Sequence, residues 1–493
     1  MISKNFFKSS LIYSLIGALP FVSGLILQII FISKLTKEQI GMNTFYLGIL
    51  YLVQILSSFS LETFIGINYF DYKNDLNKLK SFIGTIMITL IILGLIVISI
   101  FSVGGDFFFK LVFQTILKSN AEIIFYPWGL MTVFSAVFTG FLKTYSSLLI
   151  NQQRPIRFFW INILNFSFTM IISISLLFAF PYTLVGPMWG RLIPTIISFA
   201  TIMFFIIKEY NFKFNSEYLK GMKAFCLPMF FCAVFIWIVG NIDRYVIEYF
   251  LKDVSLVGVF DLAIKCTLVI DFLQVGLVNT IHPKVFNIWK DNNFKESTTE
   301  VNRYYNSLSA LTLILIPLIL IFVPLLFPIV VKNSFFYQIY DYLPILCMGF
   351  ATRVYFYLFL APIYFFKQTK VLPKVFLFSA IFQIVSSAIL VKYFGLMGAV
   401  WANFIIKPIQ ALFLYFESRK IFKFKFNKMK LIYLPLFFII MVICSEILFY
   451  HEYLLQKSIC ILVITSFLIY IVYKKELKML ILQILRKGKY IDY

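Results

Sequence analysis

The sequence is poor in the residues that build most catalytic and metal centres. Only two histidines occur among its 493 residues, His282 and His451, and they lie far apart in the chain. The six cysteines are scattered through apolar stretches, without the paired spacing of a zinc or redox site. No glycine-rich phosphate-binding loop ending in lysine is present, which argues against an ATP-driven motor. We therefore expect no cofactor, no metal site and no enzymatic activity.

Acidic residues are also scarce. The chain has 22 Asp and Glu against 44 Lys and Arg, which gives a net charge of +22. Charged residues nevertheless make up only 13% of the chain, whereas 61% is hydrophobic and the mean hydropathy is +0.90. Because a backbone that crosses hydrocarbon must satisfy its own hydrogen bonds, such a composition predicts a polytopic helical membrane protein.

Fourteen apolar segments of spanning length follow one another along the chain. The predicted ranges are 11–33, 43–65, 82–104, 124–146, 158–180, 182–207, 224–246, 255–278, 308–331, 340–365, 372–391, 394–416, 431–450 and 454–473. The first is interpreted as a spanning helix rather than a cleaved signal peptide, since it lacks a small-residue cleavage site. The predicted fold is all-α with about fourteen transmembrane helices.

The basic residues predict the orientation. With these ranges, the termini and even-numbered loops carry 29 Lys and Arg, the odd-numbered loops carry seven, and eight lie inside segments. By the positive-inside rule, both termini face the cytoplasm. Topology thus explains most of the positive charge, and no nucleic-acid partner is expected. The tail, 474–493, is predicted to lie on the inner leaflet as an amphipathic helix in contact with membrane lipids.

An internal repeat relates the two halves of the chain. "LVGPMWGRLI" (184–193) matches "LMGAVWANFI" (396–405) at an offset of 212, which aligns Gly186 with Gly398 and Trp189 with Trp401. "KLTKEQIGMNTFYLGI" matches "FLKDVSLVGVFDLAIK" at an offset of 217, which aligns two further glycines. Chance similarity between apolar segments is the alternative explanation.

The duplication predicts two six-helix lobes related by a pseudo-two-fold axis along the membrane normal, as in transporters that bind substrate between parallel repeats. The predicted divisions are an N-lobe at 1–210, a cytoplasmic linker at 211–223, a C-lobe at 224–416, two additional helices at 417–473 and the tail at 474–493.

The stretch "WIVGNIDRYVIEYFLKDVSLVGVFDLAIK" (237–265) resembles the signature around the seventh and eighth helices of polysaccharide exporters in the MATE-like MOP superfamily. The twelve-plus-two helix count and the glycine-containing starts of helices 6 and 12 are similar too. Within this group the chain is most similar to Wzx-type flippases of O-antigen and capsule repeat units. The resemblance implies translocation of undecaprenyl-pyrophosphate-linked oligosaccharides to the periplasmic leaflet by alternating access, in lipopolysaccharide biosynthesis. It also implies a polysaccharide polymerase and a chain-length regulator as partners.

Basic residues inside the apolar segments are the candidates for substrate binding, because a charge at the bilayer centre costs about 2.5–3.5 kcal/mol and normally faces a partner or a wet cavity. They are Arg191, Lys407, Arg353 and Lys143. The first two lie one turn apart in the repeat alignment. If the lobes face each other, Arg191, Lys407 and Arg353 point into one cavity, where they could bind a pyrophosphate. A partner acid on another helix is the alternative.

The remaining candidates are assigned to coupling or to structure. Asp261 and Lys265 lie four residues apart and are predicted to form an ion pair. With Glu62 and Asp271, they form the set that could couple transport to an ion gradient. Asp243 and Arg244 are interpreted as an architectural pair at a helix end. The repeated residues Gly186, Trp189, Gly398 and Trp401 are interpreted as helix-packing residues.

Three other functions are open at this point. A MATE-like antiporter of cationic drugs would need a cavity dominated by acids, whereas the unpaired charges here are mainly basic. A flippase of peptidoglycan lipid precursors fits the same superfamily. An integral-membrane glycan polymerase would need acidic or histidine groups in a sizeable surface loop, and the predicted outer loops are short.

Overall fold

The computed structural model describes residues 23–210, 213–291, 294–423, 425–449 and 454–488, without the side chains of 291–299 and 475–488. This part of the chain is all-α and contains no strand. Its helices are α1 (Ser23–Ile32), α2 (Lys37–Ser58), α3 (Leu61–Tyr72), α4 (Leu76–Phe109), α5 (Leu130–Asn151), α6 (Pro155–Ala179), α7 (Val185–Tyr210), α8 (Glu217–Leu251), α9 (Val254–Asp291), α10 (Phe294–Val330), α11 (Ile339–Phe365), α12 (Leu372–Ile421), α13 (Leu434–Leu448) and α14 (Leu454–Gly488).

The predicted all-α polytopic architecture is confirmed. Eleven helical stretches among the described residues are long and apolar enough to cross a membrane, and α12 counts as one of them although it covers two predicted segments. The other two predicted segments fall on α9 and on α1, whose described part is a short apolar helix. The first half of the first predicted segment, His451 and the side chains of the amphipathic tail lie outside the described residues.

The helix ends follow local chemistry. The Thr36 side chain and Gln39 form a capping box that starts α2. Asp75 caps α4 by accepting from the backbone N–H groups of Lys78 and Asn77. These hydrogen bonds, led by the one from Lys78, lower the pKa of Asp75 because they favour its charged form. Each cap satisfies N–H groups that a helix start otherwise leaves unpaired.

Two breaks in helical geometry interrupt apolar stretches in which hydropathy alone predicts no interruption. Phe59 and Ser60 have φ values of 46° and 58°, so the second predicted segment is split into α2 and α3. Within α12, Gly395 at φ 58° and ψ −139° separates two helical halves. A side chain would be strained at this conformation, so glycine is the residue that permits this bend.

Contacts divide the chain into two compact units. The first contains 1–265, 331–336 and 370–402; the second contains 266–330, 337–369 and 403–493. Helices α9 and α12 therefore contribute residues to both units. The lobes predicted from the repeat, 1–210 and 224–416, are defined by sequence equivalence and remain a prediction.

Repeated glycines allow close helix packing inside the first unit. A Cβ atom on Gly186 would lie 2.9 Å from the backbone nitrogen of Leu177, where α7 packs on α6. A Cβ atom on Gly398 would lie 2.0 Å from the carbonyl oxygen of Leu390, across the bend in α12. The Trp189 side chain is 42% exposed on the surface of the chain, so its packing role remains a prediction. Trp401 is half-buried.

The other repeat match brings equivalent positions into contact. A Cβ atom on Gly258 of α9 would lie 3.2 Å from the backbone nitrogen of Gly41 in α2. Three residues further along each helix, the Thr44 hydroxyl donates to the Asp261 carboxylate at 3.3 Å. Positions related by the 217-residue offset therefore contact each other, as residues beside a two-fold axis do.

Candidate functional site

Asp261 is the centre of a buried ion cluster in the first unit. Its carboxylate is 3% exposed and accepts from Arg244 Nη2 and from Lys265 Nζ, both at 2.7 Å. The predicted Asp261–Lys265 pair is therefore formed, within one turn of α9. Lys265 Nζ also donates to Oε1 of Gln28 on α1, at 2.9 Å. The cluster joins α1, α2, α8 and α9.

Asp243 and Arg244, interpreted as an architectural pair at a helix end, contact different partners. Consecutive residues of a helix point about 100° apart, so their side chains cannot face each other. Arg244 turns to Asp261 and donates its other terminal nitrogen to the Gly240 carbonyl at 2.6 Å. Asp243 accepts instead from Gln383 Nε2 at 2.6 Å. One member of the expected pair thus belongs to the ion cluster.

Arg191 of α7 has no carboxylate within 4 Å among the described residues. Its Nη2 donates to Oδ1 of Asn43 on α2 at 2.7 Å. Its Nη1 is buried, and no hydrogen-bond partner for it occurs in the described part of the chain. The alternative of a partner acid on another helix is therefore not seen for Arg191, which retains unused donor capacity.

Arg191 and Lys265 line one cavity of about 210 Å³. The described residues that surround it include no acid; its polar lining side chains are Ser23, Gln28, Tyr51, Thr139, Asn162, Asn165, Thr169, Ser173, Thr195, Arg191 and Lys265. Arg191, Lys265 and Arg244 together carry three positive charges. Asp261, which pairs with Lys265 and Arg244, supplies the one negative charge among them. This cavity, called the cationic pocket below, carries two uncompensated positive charges.

The second unit contains the other two predicted cations, in different surroundings. Arg353 on α11 pairs with Asp271 on α9 at 3.0 Å, so the alternative of a partner acid on another helix applies to this residue. Lys407 on α12 donates to Oδ1 of Asn403 at 2.5 Å, and its ammonium lies 5.0 Å from the centre of the Phe350 ring. A cavity shared by these cations and Arg191 remains a prediction.

Lys143 and Glu62 form an ion pair at 2.7 Å between α5 and α3. Lys143 is half exposed, and it does not line the cationic pocket. Its assignment to substrate binding thus has no support in the geometry of the pocket. Glu62, Asp261 and Asp271, the three carboxylates considered for ion coupling, are all engaged by cations.

The sequence analysis missed a buried acid, Glu248. Helix α8 continues to Leu251, past the predicted end at 246, so Glu248 was not counted among the membrane charges. Its side chain is fully buried; the Ser119 side chain approaches the carboxylate, but no well-aligned hydrogen bond to it forms among the described residues. The spacing to Lys252 predicts an ion pair, but Lys252 ends the helix at φ 56° and donates to the Leu117 carbonyl.

Two uncharged residues of the site were also missed, Gln28 and Asn43. Each orients a cation, and each is an isolated amide in an apolar run, "LILQII" and "IGMNTF". A buried amide costs free energy unless it finds a hydrogen-bond partner, and this was the available signal.

Comparison with known proteins identifies the fold. The sequence matches no protein-family model and no curated protein. Among solved structures, the lipid II flippase MurJ in an inward closed conformation is similar over 95% of this chain and 100% of its own, with a TM-score of 0.71 at 16% identity. An inward-facing multidrug resistance MATE transporter of the MOP superfamily is similar over 82% of this chain and 94% of its own, with a TM-score of 0.68 at 14% identity.

A third similar structure is a MOP superfamily transporter from Pyrococcus furiosus. It covers 85% of this chain and 95% of its own, with a TM-score of 0.59 at 14% identity, and its description reports a reversed polarity of the binding pocket that suggests a different function. The chain has the fold of these flippases and transporters.

Proposed function

We propose that the protein is a flippase for lipid-linked oligosaccharides and that the cationic pocket binds the pyrophosphate of the substrate. The observation that carries the proposal is that Arg191 and Lys265 line the same cavity. The described residues around this cavity include no acid. The likeness in fold to a lipid II flippase and to MATE transporters supports a transporter that works by alternating access.

The chemistry of the pocket suits a pyrophosphate. Such a group carries two or three negative charges, which oppose the two uncompensated cations of the pocket. Arg191 has an unpartnered Nη1, and the planar fork of a guanidinium matches phosphate oxygens better than an ammonium does. The amides and hydroxyls of α6 that line the same cavity can donate to the first sugar. About 210 Å³ holds a pyrophosphate and part of one sugar, so the rest of the glycan must lie outside the pocket.

The most specific form of the proposal is an undecaprenyl-pyrophosphate-linked repeat unit of O-antigen or capsule, moved from the cytoplasmic to the periplasmic leaflet of the inner membrane. Lys407 and Arg353 are proposed as further cations along the substrate path. An ion gradient would drive the cycle, and Glu248 joins Glu62, Asp261 and Asp271 as a candidate carboxylate for coupling.

A flippase of peptidoglycan lipid precursors is the second candidate, and the structural likeness to MurJ favours it. Both substrates present a polyprenyl pyrophosphate, so the cationic pocket serves either one. An antiporter of cationic drugs is disfavoured because two positive charges in the pocket would repel its substrate.

Binding of undecaprenyl pyrophosphate to the purified protein in detergent tests the proposal. Arg191→Ala should weaken binding at least about tenfold, because a charge-assisted hydrogen bond contributes about 1.5–3 kcal/mol, and Arg191→Lys should recover part of the loss. Lys110→Ala is the matched control, since Lys110 is exposed and contacts only Asp106 on its own helix among the described acids. Equal affinity of Arg191→Ala and the unmodified protein would refute pyrophosphate binding at this pocket.

Flipping of the two lipid substrates in vesicles separates the two candidates. The proposed substrate predicts faster transfer of an undecaprenyl-pyrophosphate oligosaccharide than of lipid II. Faster transfer of lipid II would favour the second candidate and leave the role of Arg191 intact.

A further inference from the structure

A second cationic site lies at the start of α6, away from the cationic pocket. Arg154 and Arg157 both bind the carboxylate of Glu209 at the end of α7, at 2.7 and 2.5 Å. Each arginine contributes only one nitrogen, Nη1, to these contacts. Their side chains are 44% and 29% exposed, so both guanidinium groups are accessible from the surface of the chain.

An apolar wall continues from the arginines along α6. Ile156, Trp160 and Leu164 follow at intervals of four residues and are 70%, 56% and 45% exposed. Residues spaced in this way share one face of a helix. They line, with Arg154 and Arg157, an open surface groove of about 650 Å³. The groove thus has a basic end and an apolar side.

The local structure holds the basic end in place. The Arg157 guanidinium lies 4.5 Å from the centre of the Phe205 ring on α7, and its Nη1 also approaches the Tyr145 hydroxyl at 3.4 Å. Gln153 has φ 55° and turns the chain so that Pro155 can begin α6 immediately after Arg154. The Arg157 guanidinium is therefore fixed beside the apolar wall, and Arg154 is held there through Glu209.

We infer that this groove is a binding site for an anionic phospholipid. The free N–H groups of Arg154 and Arg157 bind the headgroup phosphate, and an acyl chain lies along Ile156, Trp160 and Leu164. A soluble anion would use only the basic end, whereas a phospholipid uses both features of the groove. Two arginines against the single carboxylate of Glu209 favour a lipid with net negative charge over a zwitterionic one. The orientation predicted from the basic residues places this groove in the cytoplasmic leaflet, where anionic lipids attract basic side chains.

Glu209 competes with the lipid phosphate for Arg154 and Arg157, because its carboxylate binds both guanidinium groups. Native mass spectrometry of the purified chain can measure binding of phosphatidylglycerol, with phosphatidylcholine as the zwitterionic reference. Arg154→Gln should weaken phosphatidylglycerol binding roughly fivefold, and Glu209→Gln should strengthen it by a similar factor. Trp160→Ala should weaken binding of phosphatidylglycerol while leaving the basic end intact.

Lys78→Gln is the matched control, because it removes one exposed cation from the same predicted side of the membrane. Its phosphatidylglycerol affinity should equal that of the unmodified chain. An equal loss of phosphatidylglycerol affinity in Lys78→Gln and Arg154→Gln would show that only the overall charge matters, and would overturn the site. Weaker phosphatidylglycerol binding in Glu209→Gln would also overturn it. Inorganic phosphate that displaces the lipid at millimolar concentration, with no effect of Trp160→Ala, would show a soluble-anion site instead.

Discussion

Arg191 and Arg353 are the same residue type in apolar segments, and neither has an acid one turn away in the sequence. The fold gives Arg353 a partner in Asp271, whereas it gives Arg191 only the amide of Asn43. This difference depends on which helices are neighbours, so spacing along one helix cannot reveal it. Spacing did identify the Asp261–Lys265 pair, because both residues lie on one turn of α9.

Asp261→Asn should destabilise the protein strongly, because it leaves Arg244 and Lys265 buried without a counter-charge. Breaking a buried ion pair from one side costs about 3–5 kcal/mol. Thermal unfolding in detergent should show a clear fall in the midpoint. Asp106→Asn is the control, since the Asp106–Lys110 pair is exposed and its loss should cost less than about 1 kcal/mol. Similar midpoints for both variants would contradict the central role of Asp261.

Glu248→Gln should behave in the opposite way. The carboxylate forms no well-aligned hydrogen bond among the described residues, and an amide of the same shape can keep the contact with the Ser119 side chain while it removes an acid from an apolar site. The unfolding midpoint should stay the same or rise. A drop comparable to that of Asp261→Asn would mean that Glu248 is paired after all.

At the level of helices, hydropathy predicted where the segments lie but not where they end or bend. Helix α8 extends beyond its predicted apolar range at both ends, since helical hydrogen bonding continues after the hydrophobic run stops. The break at Phe59 and Ser60 contains no proline or glycine from which it could be predicted. Bends of this kind follow from tertiary packing, which the composition of a single segment does not contain.

The contact between α6 and α7 gives a prediction about helix packing. A Cβ atom on Gly190 would lie 2.7 Å from Cα of Ser173, so Gly190→Ala must push the two helices apart. Overpacking of this kind costs about 1–3 kcal/mol. Gly104→Ala is the matched control, because nothing lies within 4 Å of its Cβ position and alanine favours the helix by about 0.5–1 kcal/mol. Unfolding midpoints should therefore move in opposite directions, and a shared direction would refute the close approach.

For the whole molecule, the sequence repeat and the fold carry different information. The repeat aligned the glycines at 41 and 258, and the structure brings these two positions together. It did not reveal that Gln28 of α1 and Lys265 of α9 meet, because they are 237 residues apart and are not equivalent in the repeat. The sequence could therefore predict a set of cations, but which residues line the cationic pocket depends on the packing of α1, α2, α5, α6, α7 and α9.

The orientation in the membrane sets the direction of the proposed transport, and α4 offers a direct test of it. Lys78 and Lys110 lie at opposite ends of this helix, about 48 Å apart at 1.5 Å per residue, and both are exposed. This distance exceeds a bilayer of about 40–45 Å including headgroups. In a variant without its native cysteines, Lys110→Cys should react with a membrane-impermeant maleimide on intact spheroplasts, and Lys78→Cys should react only after permeabilisation. The reverse pattern would invert the topology, reverse the proposed direction of flipping, and move the lipid groove at Arg154 to the outer leaflet.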